Sequence, residues 1–375
     1  GGGAGDITKH GEGFFSLLLH QRFGVAHTST VVDDVFFILK KSSERGFSTA
    51  SPHTAAAVVN YVTAVLSGPY KDHHVQRIKA YYNNYKREAG TSSLFSSKIF
   101  SNSSSAAAAA AAEQEQKLDH DQRFLLALNN LQASTHHMGT LRQHLEGEFE
   151  SVAHTAGNSK ELVQHCLAEI GETAASFTKA AHSGVQRLLA LLTPRFRPAL
   201  EVLDGTRFEL NEAAFNSGFG GLHHPANSGA AASAGSHIPW PDLVIRELST
   251  QVSPLRACLT EENLASFLSL LLDQLLGHIR RMVMKKSYTF WGGMQIDKDI
   301  RQISSFCNQL CAHNVREKFA PLLQIASVLQ LDKASEILDY WGGDNQIWKL
   351  TEKELKQVLE LRKDFKTRDI QSLKL

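Results

Sequence analysis

Cys307, Cys311 and His313 come closest to a metal-ligand group in this 375-residue chain. Side chains four apart share a helix face, so two thiolates and a following imidazole could offer zinc three ligands. A fourth ligand is not evident, and free cysteine is among the most buried residue types. Small residues of a helical core are therefore the preferred reading of the group. The pairs His73-His74, His136-His137 and His223-His224 are adjacent in sequence. On a helix, neighbouring side chains point about 100° apart, which does not make a ligand pair. Asp33-Asp34 precedes Val35-Phe36-Phe37, and a helix N-terminus, where the macrodipole favours negative charge, explains it better than acid–base chemistry. The sequence has no GxxxxGK[ST] phosphate loop, no HExxH helix and no GxSxG elbow. No catalytic residue, metal or cofactor is expected, so the chain reads as a non-enzyme.

Charge and aromatic clusters speak instead of binding. Arg280, Arg281, Lys285 and Lys286 stand near the end of a long helical stretch, where they complement the dipole or meet an anionic lipid. Arg362, Lys363, Asp364, Lys366, Arg368 and Asp369 form a mixed-sign cluster on the expected last helix, and Arg316, Glu317 and Lys318 form a smaller one. Each is either a solvated face or a partner surface. Tyr340 and Trp341 read as an anchor for the end of the chain rather than an exposed contact.

The elements that position these groups are helical throughout, with no convincing strand alternation. Helices are expected over 14–23, 31–41, 54–66 and 75–85, broken by Ser51-Pro52 and Gly68-Pro69. Residues 101–112 are a Ser/Ala low-complexity linker that runs into a long helix over 113–145, followed by another over 160–192 that Thr193-Pro194 stops. Residues 217–241, rich in Gly, Ala, Ser, His and Pro, read as a disordered loop. Further helices are expected over 242–255, 261–291, 296–313, 315–331, 332–340 and 352–365. Phe290-Trp291-Gly292-Gly293 and Trp341-Gly342-Gly343 read as helix stops. Thr351-Glu352-Lys353-Glu354 has the form of a capping box. The expected fold is all-α, an elongated rod of stacked helical bundles. Its expected parts are a first bundle over 11–100, the linker 101–112, a long-helix bundle over 113–293 and a C-terminal helical domain over 294–375.

Composition sets the class. At 42% hydrophobic and 21% charged residues the chain describes a globular protein with ample core. A net charge of +1 gives no electrostatic reason to expect nucleic acid. Four scattered cysteines make no disulfide framework and fit a reduced, cytosol-facing compartment. The Gly-rich start reads as no signal peptide. The greasiest stretch, 264–279, includes Asp273, Gln274 and His278 and is shorter than the roughly 20 apolar residues of a spanning helix. Any membrane association is therefore expected to be peripheral.

The segments GGMQIDKDIR, EILDYWG and LTEKELKQVLELRKDF, in this order and running to the last residues, resemble the end of the subunit 4 family of the conserved oligomeric Golgi complex. VDDVFFILKK and FLLALNNL upstream agree with it. The resemblance covers most of the chain in patches and is strongest after Ser287. Its N-terminal coiled-coil region has no counterpart, so the chain resembles the family's C-terminal half. It implies a non-enzymatic subunit of a helical-rod vesicle-tethering complex, peripheral on the cytosolic face of the Golgi membrane, acting in retrograde intra-Golgi transport and SNARE-dependent fusion. Implied partners are the other subunits of that complex and, indirectly, Golgi SNAREs and their Sec1/Munc18-type regulator. The resemblance also implies an arginine where this chain has Pro321, paired with acidic side chains of the last helix such as Glu354. Glu354, Arg362, Asp364 and Arg316 are the expected partner-binding residues. The competing readings are a stand-alone helical scaffold or adaptor and a metal-dependent enzyme using Cys307, Cys311 and His313.

Overall fold

A computed structural model describes residues 27–95, 104–153, 160–217, 238–311, 315–341 and 347–374. The expected helix over 14–23, residues 101–103 of the linker and residues 218–237 of the loop lie outside the described residues. The described residues are all-α, with no strand and only isolated bridges. They fall into two compact units, one drawn from within residues 1–192 and 250–267 and the other from within residues 193–249 and 268–375.

The first unit is a bundle of α1 (Thr30–Phe47), α2 (Pro52–Val65), α3 (Lys71–Phe95), α4 (Ser104–Ala153) and α5 (Lys160–Leu192). α4 packs on α5, α3 and α1. Its apolar side, with Phe124, Leu128, Leu131, Met138, Leu141 and Leu145, is buried as the 3.6-residue spacing requires. α4 runs past both expected ends. Alanines 106–112 continue the helix because alanine loses no side-chain entropy there. At the other end Phe149 meets the Phe47 ring at 4.7 Å. Gly68-Pro69 does not break the chain between α2 and α3. A π-turn over Leu66–Tyr70 carries the helix through, a geometry that absorbs the missing proline N–H.

One polar residue organises the centre of this unit. The buried Asn129 amide donates to His27 O at 2.8 Å and to Cys258 O at 2.7 Å. Its carbonyl accepts from Thr260 N and Asn263 Nδ2, each at 3.1 Å. Asn129 thus uses two donors and two acceptor positions, the full capacity of the side chain. Asn129→Leu keeps the volume but orphans these partners, and about 2 kcal/mol of stability should be lost. A urea midpoint equal to that of the parent would show that the four bonds are replaceable.

The second unit holds α6 (Arg197–Gly205), α7 (Glu212–Asn216), α10 (Phe290–Leu310), α11 (Arg316–Val328), α12 (Ile337–Tyr340), α13 (Glu352–Glu360) and α14 (Thr367–Gln371). It also takes residues 240–249 of α8 (Trp240–Cys258) and 268–283 of α9 (Glu261–Val283). Thr193–Phe196 is a 3-10 turn, so Pro194 ends α5 as expected. Two expectations are corrected here. α9 stops at Val283 instead of continuing to Trp291, because the chain after it is drawn away: Lys286 Nζ donates to Asp204 O and Thr206 O, and Tyr288 pairs by its backbone with the end of the chain. The last long helix likewise ends at Glu360, not at 365, since residues 361–363 leave it to meet Tyr288.

Candidate functional site

The best-defined constellation in the second unit is the junction where residues 208–210, 288–293, 329–331 and 361–365 meet. Tyr288 is fully buried, and its N–H donates to Leu361 O at 2.9 Å while its carbonyl accepts from Lys363 N at 3.1 Å. Its hydroxyl donates to Val283 O at 3.0 Å, and its ring stacks on Phe208 at 5.3 Å. Burial pushes this phenol far above the ordinary tyrosine range, with the Asp299 carboxylate adding to it. Thr289 caps α10 by accepting from Gly292 N, and its hydroxyl donates to Leu210 O at 2.6 Å.

Gly292-Gly293 is therefore not a helix stop. Both glycines lie in the first turn of α10 without positive φ. A Cβ at Gly292 would stand 1.6 Å from Phe208 O, and one at Gly293 2.3 Å from Leu329 O. The doublet lets two backbone segments pass against the helix, which is the close-approach use of glycine rather than its left-handed one.

Arg362 closes the junction. It is 2% exposed, so it does not form the solvent-facing contact expected of it. Its guanidinium donates to the Leu329 and Leu331 carbonyls and forms two bonds with Asp364, at 2.9 and 2.7 Å. The group also lies 4.4 Å from the Phe365 ring centre. A planar fork with five N–H groups can serve two carbonyls and a carboxylate at once. Asp364 remains outward, 55% exposed at its side chain, with the arginine hydrogen bonds holding its carboxyl below the usual range.

Glu354 occupies another position, at the start of α13. The capping box is present: Glu354 N donates to Thr351 Oγ1, and Thr351 N donates to Glu354 Oε2 at 3.0 Å. Backbone donation from Thr351 is the leading cause that lowers its pKa, with Arg280 adding to it. Arg280 of α9 donates to Glu354 Oε1 at 2.7 Å. Proline at 321 cannot supply the charge that the family resemblance implies, and α9 supplies it instead. This half-exposed pair and cap are worth about 1 kcal/mol together, the loss expected in the unfolding free energy of Glu354→Ala. Arg316 opens α11, a separate element from those carrying Arg362 and Glu354. The structure thus brings Arg362 and Asp364 together and leaves Glu354 and Arg316 on other elements.

The remaining candidate groups have structural accounts. Cys307 is fully buried, its thiol pushed up to about 12 by burial, and Cys311 ends α10. His313 and His223-His224 lie outside the described residues. Among the described residues no three His, Cys, Asp or Glu side chains are placed to hold a metal ion. His137 stacks on Phe36 at 5.1 Å and lies 3.2 Å from Asp33. Burial pushes His74 down to about 4. Tyr340 is 55% exposed, which corrects its reading as a buried anchor; Trp341 instead packs on Trp348 with ring centres 5.3 Å apart.

A buried carboxylate escaped sequence reasoning. Asp299 accepts from Trp240 Nε1 at 2.8 Å and from Gln295 Nε2 at 2.7 Å, and burial pushes it up to about 6. The signal was available as an acidic residue on the apolar stripe of Ile296, Ile300 and Ile303. A carboxyl whose folded pKa exceeds the unfolded value stabilises the fold below about pH 4, and that contribution is lost as pH rises through about 6. Between pH 5 and 7.5 the loss should be about 1 kcal/mol. Subtracting the urea curve of Asp299→Asn from that of the parent at both pH values isolates it. A difference independent of pH would contradict the assignment.

The chain is similar in sequence to one family of known proteins and in fold to a solved structure. The family described as "Conserved oligomeric Golgi complex subunit 4, C-terminal" matches residues 124–357, and "COG4 transport protein, middle alpha-helical bundle" matches residues 20–80. A curated relative named conserved oligomeric Golgi complex subunit 4, from Arabidopsis thaliana, is 29% identical over 382 residues, covering 99% of this chain and 46% of that protein. Its namesakes from Homo sapiens and Drosophila melanogaster are 26% and 28% identical, covering 93% and 92% of this chain. The chain spans less than half the length of each of these relatives. Among solved structures, the C-terminal domain of the exocyst subunit Sec6p aligns over 92% of this chain and 76% of that one, with a TM-score of 0.59 at 11% identity. That likeness extends to the helical fold.

Proposed function

The chain belongs to the family of conserved oligomeric Golgi complex subunit 4, and on that premise we propose that it is a non-enzymatic subunit of a Golgi vesicle-tethering complex. The observation that carries this reading is the ordered match to two consecutive parts of one family along residues 20–80 and 124–357. The proposed process is retrograde intra-Golgi transport leading to SNARE-dependent fusion. Its proposed partners are the other subunits, with Golgi SNAREs and a Sec1/Munc18-type regulator engaged through the assembled complex. Physically, such a subunit changes no covalent bond. It holds partners at fixed positions and raises their effective concentration near the membrane. The buried junction around Tyr288 and Arg362 suits that role, because a scaffold transmits position only through elements that do not move against one another.

The proposed location is the cytosolic face of the Golgi membrane, held there through partners. Among the described residues no helix is long and apolar enough to cross a membrane, which supports a peripheral association. Affinity purification of the tagged protein from its own cells, with mass spectrometry of co-purifying chains, tests the reading. Several large helical partners in fixed ratio, with Golgi SNAREs in lower amount, are expected. A lone chain would leave a helical scaffold outside trafficking.

A further inference from the structure

An open groove of about 730 Å³ lies in the second unit, with Gln274, Gly277, Arg281, Met284 and Lys285 on one side and Gln357 on the other. The Arg280–Glu354 ion pair forms part of its wall. Gly277 is its most informative residue. Glycine in a helix interior is unfavourable relative to alanine, and at Gly292 and Gly293 the unit keeps it because another backbone passes at contact distance. At Gly277 nothing lies within 4 Å of where a Cβ would stand. The space that this glycine clears is used by no described part of the chain and faces the groove.

Charge points the same way. Arg281 and Lys285 follow Gly277 at steps of four on the same face of the helix and its extension, and both are exposed. The two acidic lining residues are already engaged, Asp273 by Lys318 and Glu354 by Arg280. The groove therefore keeps excess positive charge beside a gap in its floor. The helix dipole accounts for basic residues in the last turn of α9, but not for Gly277, nor for Lys285 beyond the end of the helix.

We propose that this groove receives an acidic amphipathic helix from another protein chain, lying along α9 over Gly277 with its carboxylates on Arg281 and Lys285. A concave floor suits a convex occupant. A helix about 10 Å across reaches Gly277 and Met284, whereas a planar bilayer would meet only the rim. The lining from 273 to 285 spans roughly 18 Å, enough for about three turns of a partner. The proposal rests on the subunit reading for the source of the helix, which is another subunit of the same complex.

A photo-crosslinking residue, p-benzoylphenylalanine, placed at the exposed Gln357 of the tagged chain in its native complex tests this. The crosslinked segment is identified by mass spectrometry, synthesised and titrated against the parent chain, the Arg281→Glu/Lys285→Glu double variant and Gly277→Leu. The expected result is a crosslink to a helical segment with an acidic face, and at least tenfold weaker binding by both variants with the parent's helical circular-dichroism spectrum and cooperative unfolding retained. An intact complex with no crosslink, a crosslink to lipid, or one to a segment without acidic residues overturns the groove assignment. Absence of any co-purifying subunit overturns the subunit reading itself, and with it the source named for the helix.

Discussion

Gly292→Ala should destabilise the second unit by about 4 kcal/mol or more, the largest effect expected for a Cβ added at any of the described glycines. The atom that a Cβ would meet at 1.6 Å is the carbonyl oxygen of Phe208, a backbone atom that cannot rotate aside. Moving it breaks the Thr289 N–H bond to Phe208 O and displaces the ring stacked on Tyr288. The same carbonyl shift pulls on Leu210, which Thr289 holds through both its N–H and its carbonyl. Gly277→Ala is the matched control. Its Cβ meets nothing, so helix propensity alone acts and stability should rise by about 0.8 kcal/mol. Thermal unfolding of the two variants beside the parent decides the matter. A Gly292→Ala melting curve that overlays the parent would mean that the close approach of Phe208 to α10 does not exist in solution.

Arg362→Met should cost about 4 kcal/mol, for a different reason. The apolar replacement fills much of the space but leaves the Leu329 and Leu331 carbonyls without the donors they now have. A buried polar group stripped of its partner loses about 1–3 kcal/mol, and here the buried Leu329 carbonyl and the part-buried Leu331 carbonyl are stripped together. Asp364→Ala removes an exposed carboxylate but leaves the buried guanidinium on its two carbonyls, and should cost about 2 kcal/mol. Arg362→Lys should fall between the two, since one ammonium cannot span two carbonyls and a carboxylate in a plane. That order in urea-derived unfolding free energies distinguishes a structural clasp from a surface contact. Equal, small losses for Arg362→Met and Asp364→Ala would return Arg362 to the surface role that its charge suggests.

These two residues bear on the function through position rather than contact. The family resemblance and the charge cluster make Arg362 look like a partner-facing residue, yet its side chain is inside. What reaches solvent near it is Asp364, and on the α9–α13 side it is Arg281 and Lys285. A substitution at Arg362 that weakens complex assembly would therefore do so by loosening the segment that presents them. Asp364→Ala separates the two routes, because it alters the surface and leaves both the Leu329 and Leu331 carbonyls paired.

Much of the fold was legible in the residues themselves. The spacing of Leu128, Leu131, Met138 and Leu141 required an amphipathic helix; Pro194 ended α5; Thr351 and Glu354 wrote their capping box in four letters. These features are local: each depends on neighbours within a turn or two, and backbone sterics and helix geometry make them readable. The ordered motifs also carried the family. What the sequence could not decide was anything set by a partner far along the chain. Gly292-Gly293 reads locally as a stop, and only the passage of Phe208 and Leu329, 84 and 36 residues from their respective glycines, turns it into a site of close approach. Glu354 reads locally as a capping-box acid, and that its ion-pair partner is Arg280 depends on another helix. Arg362 reads as exposed because charge favours water, and tertiary structure buries it because two carbonyls and a carboxylate replace that water more completely than any local arrangement could.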